Sequence, residues 1–329
     1  MKIGILGCGN WGSVFGIIQA KNGNKISIWE YNKERAIYVQ KTRDNSPFLS
    51  GYKIPASIYI DWRVENVLRD SELVVFALPC QTLRMVLKEI KKIKIKECDF
   101  LSLIKGIDIK TLQLPSTIIK RELKLKNCFV LSGPSIANEI IRGEPTAVVL
   151  AGRDEAKARE LQKILATPNL RIYLNKDPIG VEIGGAVKNV LAIACGIIDG
   201  LGFGTNAKGA LIARGIVEIQ KLGVRMGADP KTFWGLSGLG DLVTTSFSEE
   251  SRNHKLGKML GQGKSLAEIK EEMVMVAEGL FTARAVRRLA LRYNIEMPIC
   301  TIVYEIIYKN KSPDKGIKSL MARPLKEEG

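Results

Sequence analysis

The stretch K-I-G-I-L-G-C-G-N-W-G at positions 2–12 decides the fold. It begins as a short apolar run and breaks into glycines at 7, 9 and 12, the G-x-G-x-x-G spacing. In that spacing the first glycine permits a tight turn and the second lets backbone approach a pyrophosphate. The third lets the following helix pack closely on the strand, with the helix N-terminus facing the anion. The motif is weak in isolation. Here it follows a strand pattern and opens a helix-like stretch, Trp11 to Lys21, which is the context the motif requires. The next apolar run, KISIWE at 25–30, ends in Glu30, 18 residues past Gly12. A carboxylate there can accept hydrogen bonds from the adenosine ribose and repel a 2′-phosphate, favouring NAD over NADP. Tyr31, Lys33 and Arg35 follow closely, so NADP use stays open.

Outward from this start, strands alternate with helices. ELVVFAL (72–78), CDFLSLI (98–104), CFVLSG (128–133), PTAVVLAG (145–152) and LRIYLN read as strands. TLRMVLKEIKK (82–92) and DEAKARELQKIL (154–165) read as helices between them. Near-continuous apolar strands with helical crossovers imply a mainly parallel sheet covered on both faces. After about residue 178 the strand pattern stops, and long runs rich in alanine, leucine and isoleucine follow. Asp229-Pro230 and Met297-Pro298 mark helix starts between them. The expected architecture is an α/β Rossmann-type dinucleotide-binding domain over 1–178, then an all-α, substrate-binding domain over 179–329.

A chain of 329 residues is long enough for two such cores. No apolar run reads as approaching the roughly 20 residues that span a bilayer, and the N-terminus reads as a strand, not a targeting segment. The six cysteines lie far apart without a C-x-x-C pair, which argues against a disulfide framework or zinc ribbon and fits a reducing cytoplasm. No metal site is read. Cys8, in the glycine loop, is either reactive or a small residue filling a turn. The net charge of +16 is spread along the chain without a basic tail or nucleic-acid motif, so it fits attraction of anionic small molecules better than nucleic-acid binding.

A cofactor fold does not name a reaction. His254 is the single histidine, so a proton carrier of that type would have to be there. Lysine is the other candidate, its pKa lowered by burial or a neighbouring cation. Lys188 lies in the apolar, small-residue stretch IGGAVKNVLAIACG. From these residues alone, two readings stay open: a partly desolvated amine that exchanges protons, or a side chain snorkelling from a helix end.

The chain resembles the bacterial NAD(P)-dependent glycerol-3-phosphate dehydrogenase family along essentially its whole length. Matching stretches are GCGNWG (7–12), SLIKGI (102–107), LSGPSIANEI (131–140), the run from Gly180 to Gly215, GLSGLGDL (235–242), SRN (251–253), VAEG (276–279) and SLMAR (319–323). The resemblance implies reduction of dihydroxyacetone phosphate to sn-glycerol 3-phosphate with Lys188 as proton donor and acceptor. Lys105 would be a second cation at substrate and cofactor, and Asp241 the acidic partner that completes the catalytic set. Gly133 and Ser135 would line the substrate; Ser251, Arg252 and Asn253 would hold its phosphate, for which a planar guanidinium is suited. Gly7, Gly9, Asn10, Trp11, Gly12, Glu30, Tyr31, Ala137, Arg252, Val276 and Glu278 would face the cofactor. Two departures stand out: Asn10 replaces the usual serine or alanine, and Glu30 stands where many members carry alanine or glycine. The resemblance further implies a cytoplasmic homodimer supplying phospholipid synthesis, with neither a nucleic-acid partner nor stable membrane insertion. The competing readings are a lysine-dependent 3-hydroxy-acid dehydrogenase of the same plan and, in a different class, a nicotinamide-binding regulator or a nucleic-acid-binding protein.

Overall fold

The computed structural model describes residues 1–93, 95–273, 277–325 and 327. Among them lie β1 (Lys2–Leu6), β2 (Lys25–Trp29), β3 (Asp44–Asn45), β4 (Leu49–Lys53), β5 (Tyr59–Asp61), β6 (Leu73–Phe76), β7 (Asp99–Ser102), β8 (Phe129–Ser132), β9 (Thr146–Ala151) and β10 (Leu170–Asn175). Eight form one sheet in the order β10-β9-β8-β7-β6-β1-β2-β5, while β3 and β4 make a separate ribbon. β1 pairs in parallel with both β2 and β6; β9 and β10 are parallel to each other and antiparallel to β8. The sheet is therefore mainly parallel. Alternate side chains serve opposite faces: Ile3, Ile5 and Val75 pack on one side, Leu6, Val74 and Phe76 on the other.

Strand order turns back at β1, which places a ligand crevice at its carboxyl end. The sequence pattern had marked no strand between Glu30 and Ser71. β5 is too short, at three residues, to show alternation, and the β3–β4 ribbon includes only two residues on one side.

β10 ends at Asn175, and Asp177 caps the next helix by accepting the Gly180 N–H at 2.9 Å. That helix, Pro178–Gly200, is buried on nearly every side. By length and composition it is apolar enough to cross a membrane, which corrects the sequence expectation that no run comes close. Its apolar surface is met by protein, chiefly the helices Arg252–Gly261, Asp241–Phe247, Thr205–Arg225 and Glu278–Tyr293. This is how a helix apolar all round becomes the axis of a core. Asp229-Pro230 opens only a short 3-10 turn, Pro230–Trp234, whereas Met297-Pro298 opens a full helix as expected.

Two buried carboxylates tie helix ends to this core. Glu182 accepts from the Ser116 N–H at 2.8 Å and its hydroxyl at 2.5 Å. Glu218 accepts from the N–H groups of Ile299 and Cys300, at 2.7 and 3.1 Å, the first turn of the Pro298–Lys309 helix. Each meets free N–H donors at a helix start, where negative charge is favoured.

The Arg252–Gly261 helix crosses the central helix on glycines. A Cβ at Gly257 would lie 2.0 Å from the Ile193 carbonyl oxygen, and one at Gly196 would lie 2.1 Å from that of His254. Backbone meets backbone there, so no side chain can yield. Gly209, in the Thr205–Arg225 helix, has open space where a Cβ would be. Gly257→Ala is expected to lower unfolding stability by about 1–3 kcal/mol through overpacking. Gly209→Ala should raise it by roughly 0.5–1 kcal/mol through helix propensity. Urea midpoints at unchanged slope measure both; equal, small effects would mean that the crossing is not close-packed.

Candidate active site

The glycine loop has the geometry its spacing implies. Gly7 has φ +122°, and a Cβ on it would lie 2.3 Å from the Ala77 carbonyl oxygen; one on Gly12 would lie 2.1 Å from the Gly7 oxygen. A Cβ on Gly9 would meet nothing within 4 Å, so the backbone there is open to an approaching anion. Asn10 starts the helix Asn10–Lys21. Among the described residues, the Trp11 indole Nε1 and the Asn10 Oδ1 are both buried without a hydrogen-bond partner. Buried polar atoms left so are costly; the Trp11 N–H stands where a dinucleotide's phosphate oxygen could accept from it, whereas Asn10 Oδ1 is an acceptor that needs a donor. Cys8 is buried and desolvation raises its thiol pKa to about 11, so it fills the turn and is not a reactive thiolate.

Opposite the loop, side chains from both halves converge on one carboxylate. Lys105 follows the carboxyl end of β7, and Lys188 lies within the central helix. Asp241 opens the helix Asp241–Phe247 after the glycine-rich turn at Leu236–Gly240. That turn packs so closely on the central helix that a Cβ at Gly184 would stand 2.4 Å from the Ser237 oxygen. Lys188 Nζ donates to Asp241 Oδ1 at 2.6 Å, and Lys105 Nζ donates to Asp241 Oδ2 at 2.7 Å. Lys105 also donates to the Gly133 carbonyl and the Ser135 hydroxyl, both at 2.9 Å. The Gly-Pro-Ser turn after β8 is thus fastened to the same centre.

Lys188 is only 5% exposed. Desolvation brings its pKa from 10.5 down to about 8; Asp241 opposes that fall and the Lys105 charge adds to it. Of the two readings that its sequence left open, the snorkelling side chain is excluded, because the amine is inside. Thr245 had no signal in the sequence reading, yet its hydroxyl accepts from Lys188 Nζ at 2.5 Å and donates to Asp241 Oδ1 at 3.2 Å. One helical turn separates Thr245 from Asp241, so the two share a face.

Asn189 was also missed. Its Nδ2 donates to the Lys105 carbonyl at 3.4 Å, and its Oδ1 accepts from Asn253 Nδ2 at 2.9 Å. Asn253 Oδ1 accepts in turn from the Gly279 N–H at 2.9 Å. Asn253, expected on a substrate phosphate, therefore has both ends of its amide engaged inside the protein. Ser251 caps the Arg252–Gly261 helix by accepting from the His254 N–H at 3.2 Å.

Arg252 is exposed by area but deep enough that desolvation lowers its pKa, against the raising effect of Glu278. Glu278 is lifted to about 7 by burial, opposed by a Cys80 backbone hydrogen bond and by Arg252, and its Oε2 is buried without a hydrogen-bond partner.

Of the other residues expected at the cofactor, Ala137 starts the short helix Ala137–Ile141 and packs with Trp11 on the same core. Glu30 is buried at the end of β2, while Tyr31 beside it is 73% exposed. Val276 lies outside the described residues. His254 pairs with Asp199 through Nε2 at 2.7 Å, an oxygen shared with Lys208 at 2.9 Å, and takes no part in the lysine centre. Among the described residues, no group of three or more His, Cys, Asp or Glu is placed to hold a metal ion.

A buried amine of lowered pKa, a carboxylate bridging it to a second lysine, and a phosphate loop at the switch point suit proton transfer beside a dinucleotide. Comparison with known proteins identifies the family. Residues 2–158 match the family described as NAD-dependent glycerol-3-phosphate dehydrogenase N-terminus, and residues 177–318 match its C-terminus. A relative from Geobacter sp. strain M21, named glycerol-3-phosphate dehydrogenase (NAD(P)+), is 41% identical over 331 residues, covering 100% of this chain and 99% of its own. One from Salinibacter ruber with a name of the same form is 42% identical, covering 99% and 97%. The solved glycerol-3-phosphate dehydrogenase of Coxiella burnetii superposes with a TM-score of 0.94 at 33% identity, covering 98% of this chain and 99% of that one. That of Plasmodium falciparum gives 0.88 at 27% identity, covering 99% and 97%. A D-mandelate dehydrogenase at 18% identity and TM-score 0.64 shares the fold alone. The chain belongs to the NAD-dependent glycerol-3-phosphate dehydrogenase family.

Proposed function

We propose that this chain interconverts dihydroxyacetone phosphate and sn-glycerol 3-phosphate with NAD(P), and that Lys188 carries the proton. The observation that bears most weight is the buried Lys188 amine held at 2.6 Å by a carboxylate that a second lysine shares. A nicotinamide cofactor, when bound, would supply the hydride that C2 of the ketone receives. Gly7, Gly9 and Gly12 shape its phosphate site, and the Trp11 Nε1–H fits a phosphate oxygen as donor.

In the reducing direction, protonated Lys188 donates to the oxygen on C2 and leaves as the neutral amine, to be recharged from solvent. Asp241 and Thr245 orient that amine. Lys105 adds a positive charge that stabilises the developing alkoxide and makes Lys188 a better acid. Arg252 grips the substrate phosphate, so binding energy far from C2 fixes the reacting carbon. Asn253 acts through Asn189 and Gly279, keeping the helix that carries Arg252 in register with the helix that carries Lys188. By family resemblance the enzyme works as a cytoplasmic homodimer and supplies glycerol 3-phosphate for phospholipid synthesis.

Lys188→Ala should lower kcat/KM for dihydroxyacetone phosphate by about 10²–10⁴-fold, the range of a lost general acid. Near-normal turnover in the purified, folded variant would remove Lys188 from that role. Since the donor is the ammonium form, kcat/KM for reduction should fall as pH rises through about 8, and that for oxidation should rise over the same interval. A reduction profile flat from pH 6 to 10 would contradict it.

Arg252→Ala should cost about 10²-fold or more on the phosphorylated ketone, the scale of a charged bidentate contact. Activity on unphosphorylated dihydroxyacetone should hardly change. Equal losses on both would place the phosphate elsewhere.

A further inference from the structure

Glu30 leaves β2 beside the phosphate loop. Leu6 and Trp29 are partners in register, and the Gly7 N–H donates to the Trp29 carbonyl at 3.2 Å. The Glu30 carboxylate is only 5% exposed and is held on both sides. Its Oε1 accepts from the Asn32 N–H at 3.1 Å, and its Oε2 accepts from Arg35 Nε at 3.1 Å.

Arg35 is itself fixed in place. Its guanidinium lies over the Phe48 ring at 4.4 Å and donates to the Ser46 carbonyl at 3.4 Å and to Asn45 Oδ1. Asn45 is fully buried, and its Nδ2 donates to the Cys8 carbonyl at 3.0 Å and to Ser13 Oγ at 2.8 Å. An unbroken series of hydrogen bonds therefore runs from the strand-end acid, through Arg35 and Asn45, to the backbone of the phosphate loop.

Two consequences follow from this geometry. A carboxylate held in one orientation at that strand end is preorganised to accept from ribose hydroxyls. It also sets a negative charge against any 2′-phosphate, while the nearby guanidinium that could have received that phosphate is already engaged by four groups. Rejection of one ligand by repulsion is as effective as attraction of the other.

We propose that Glu30, fixed through Arg35 and Asn45 to the phosphate loop, makes this chain select the dinucleotide without a 2′-phosphate. In that arrangement Arg35 is the positioning residue, and the pair it forms with Glu30 keeps it from receiving a 2′-phosphate. The proposal rests on the cofactor reading given above and adds which of the two dinucleotides is taken.

Titration calorimetry with 5′-AMP and adenosine 2′,5′-bisphosphate tests it without turnover, since both probe only the adenosine end of the site. The unaltered protein should bind 5′-AMP about tenfold or more tightly than the bisphosphate, the scale of one charged hydrogen bond gained or lost. Glu30→Gln keeps the side chain's shape while removing its charge; it should tighten the bisphosphate about tenfold and so close or reverse the gap. Adding Arg35→Gln to that variant should shrink the gain to the part that lost repulsion alone supplies. Arg35→Gln alone should weaken 5′-AMP about threefold or more, because the carboxylate loses its support.

Equal affinities in the unaltered protein would overturn the proposal even if every variant misfolded. A gain undiminished in the double variant, or unchanged 5′-AMP binding in Arg35→Gln, would remove Arg35 from it. Failure of the unaltered protein to bind 5′-AMP, the bisphosphate or NADH would instead overturn the cofactor reading itself.

Discussion

The Asp241 carboxylate, held between two lysine amines, is the contact on which the rest of this site depends. Taking each of these charges out of water costs several kcal/mol, and only close, well-directed partners offset it. One carboxylate faces two amines here, at 2.6 and 2.7 Å, so a positive charge is left over. That surplus has two effects. Desolvation is the larger cause of the fall of Lys188, the more deeply buried amine, to about 8, and the surplus charge acts in the same direction. The surplus also leaves the centre attractive to an anionic substrate.

Such a centre needs elements that arrive from far apart and stop at the right depth. Lys105 comes from a strand end, Lys188 from the middle of a helix, and Asp241 from the helix start after a tight turn. The approach is set by missing side chains as much as by those present. Glycines at the helix crossing and beneath the turn let backbones touch, which brings the polar groups within hydrogen-bond reach. A second layer then locks the first: Thr245 on the amine, and the bonds between Asn189, Asn253 and Gly279 that join three separate segments. Groups so supported hold productive geometry more tightly than a first layer alone.

At the other end of the crevice the same principle operates on the cofactor side. Glu30 is held by Arg35, and Arg35 by Asn45, which reaches back to the glycine loop. The loop and the acid that reads the ribose are in this way parts of a single hydrogen-bonded unit, although 37 residues separate Asn45 from Cys8. The two networks divide the labour. In the proposed reading, one bears on which dinucleotide is received and the other on where a proton is exchanged.

Features set by near neighbours in the chain were legible from the residues themselves. The glycine loop, the buried strands and the long helices each follow from spacing over a few residues, because turn geometry and face periodicity are local properties. Motif order then singled out Lys105, Lys188 and Asp241, though nothing within the Lys188 helix said whether its amine faced in or out. The short β5 and the β3–β4 ribbon escaped notice because they hold too few residues to show a period. Thr245, Asn189 and the Arg35–Asn45 link escaped because their meaning lies in partners distant along the chain. Amino-acid order by itself determined the strand-loop-helix start, the sheet-then-helices plan and the supply of candidate amines and carboxylates. Only the tertiary structure decided that Lys188 is buried against Asp241, that Asn253 is spent on the protein itself and that Glu30 is held by Arg35. Burial and pairing are set by segments as many as 136 residues apart meeting in space, and no local pattern records that meeting.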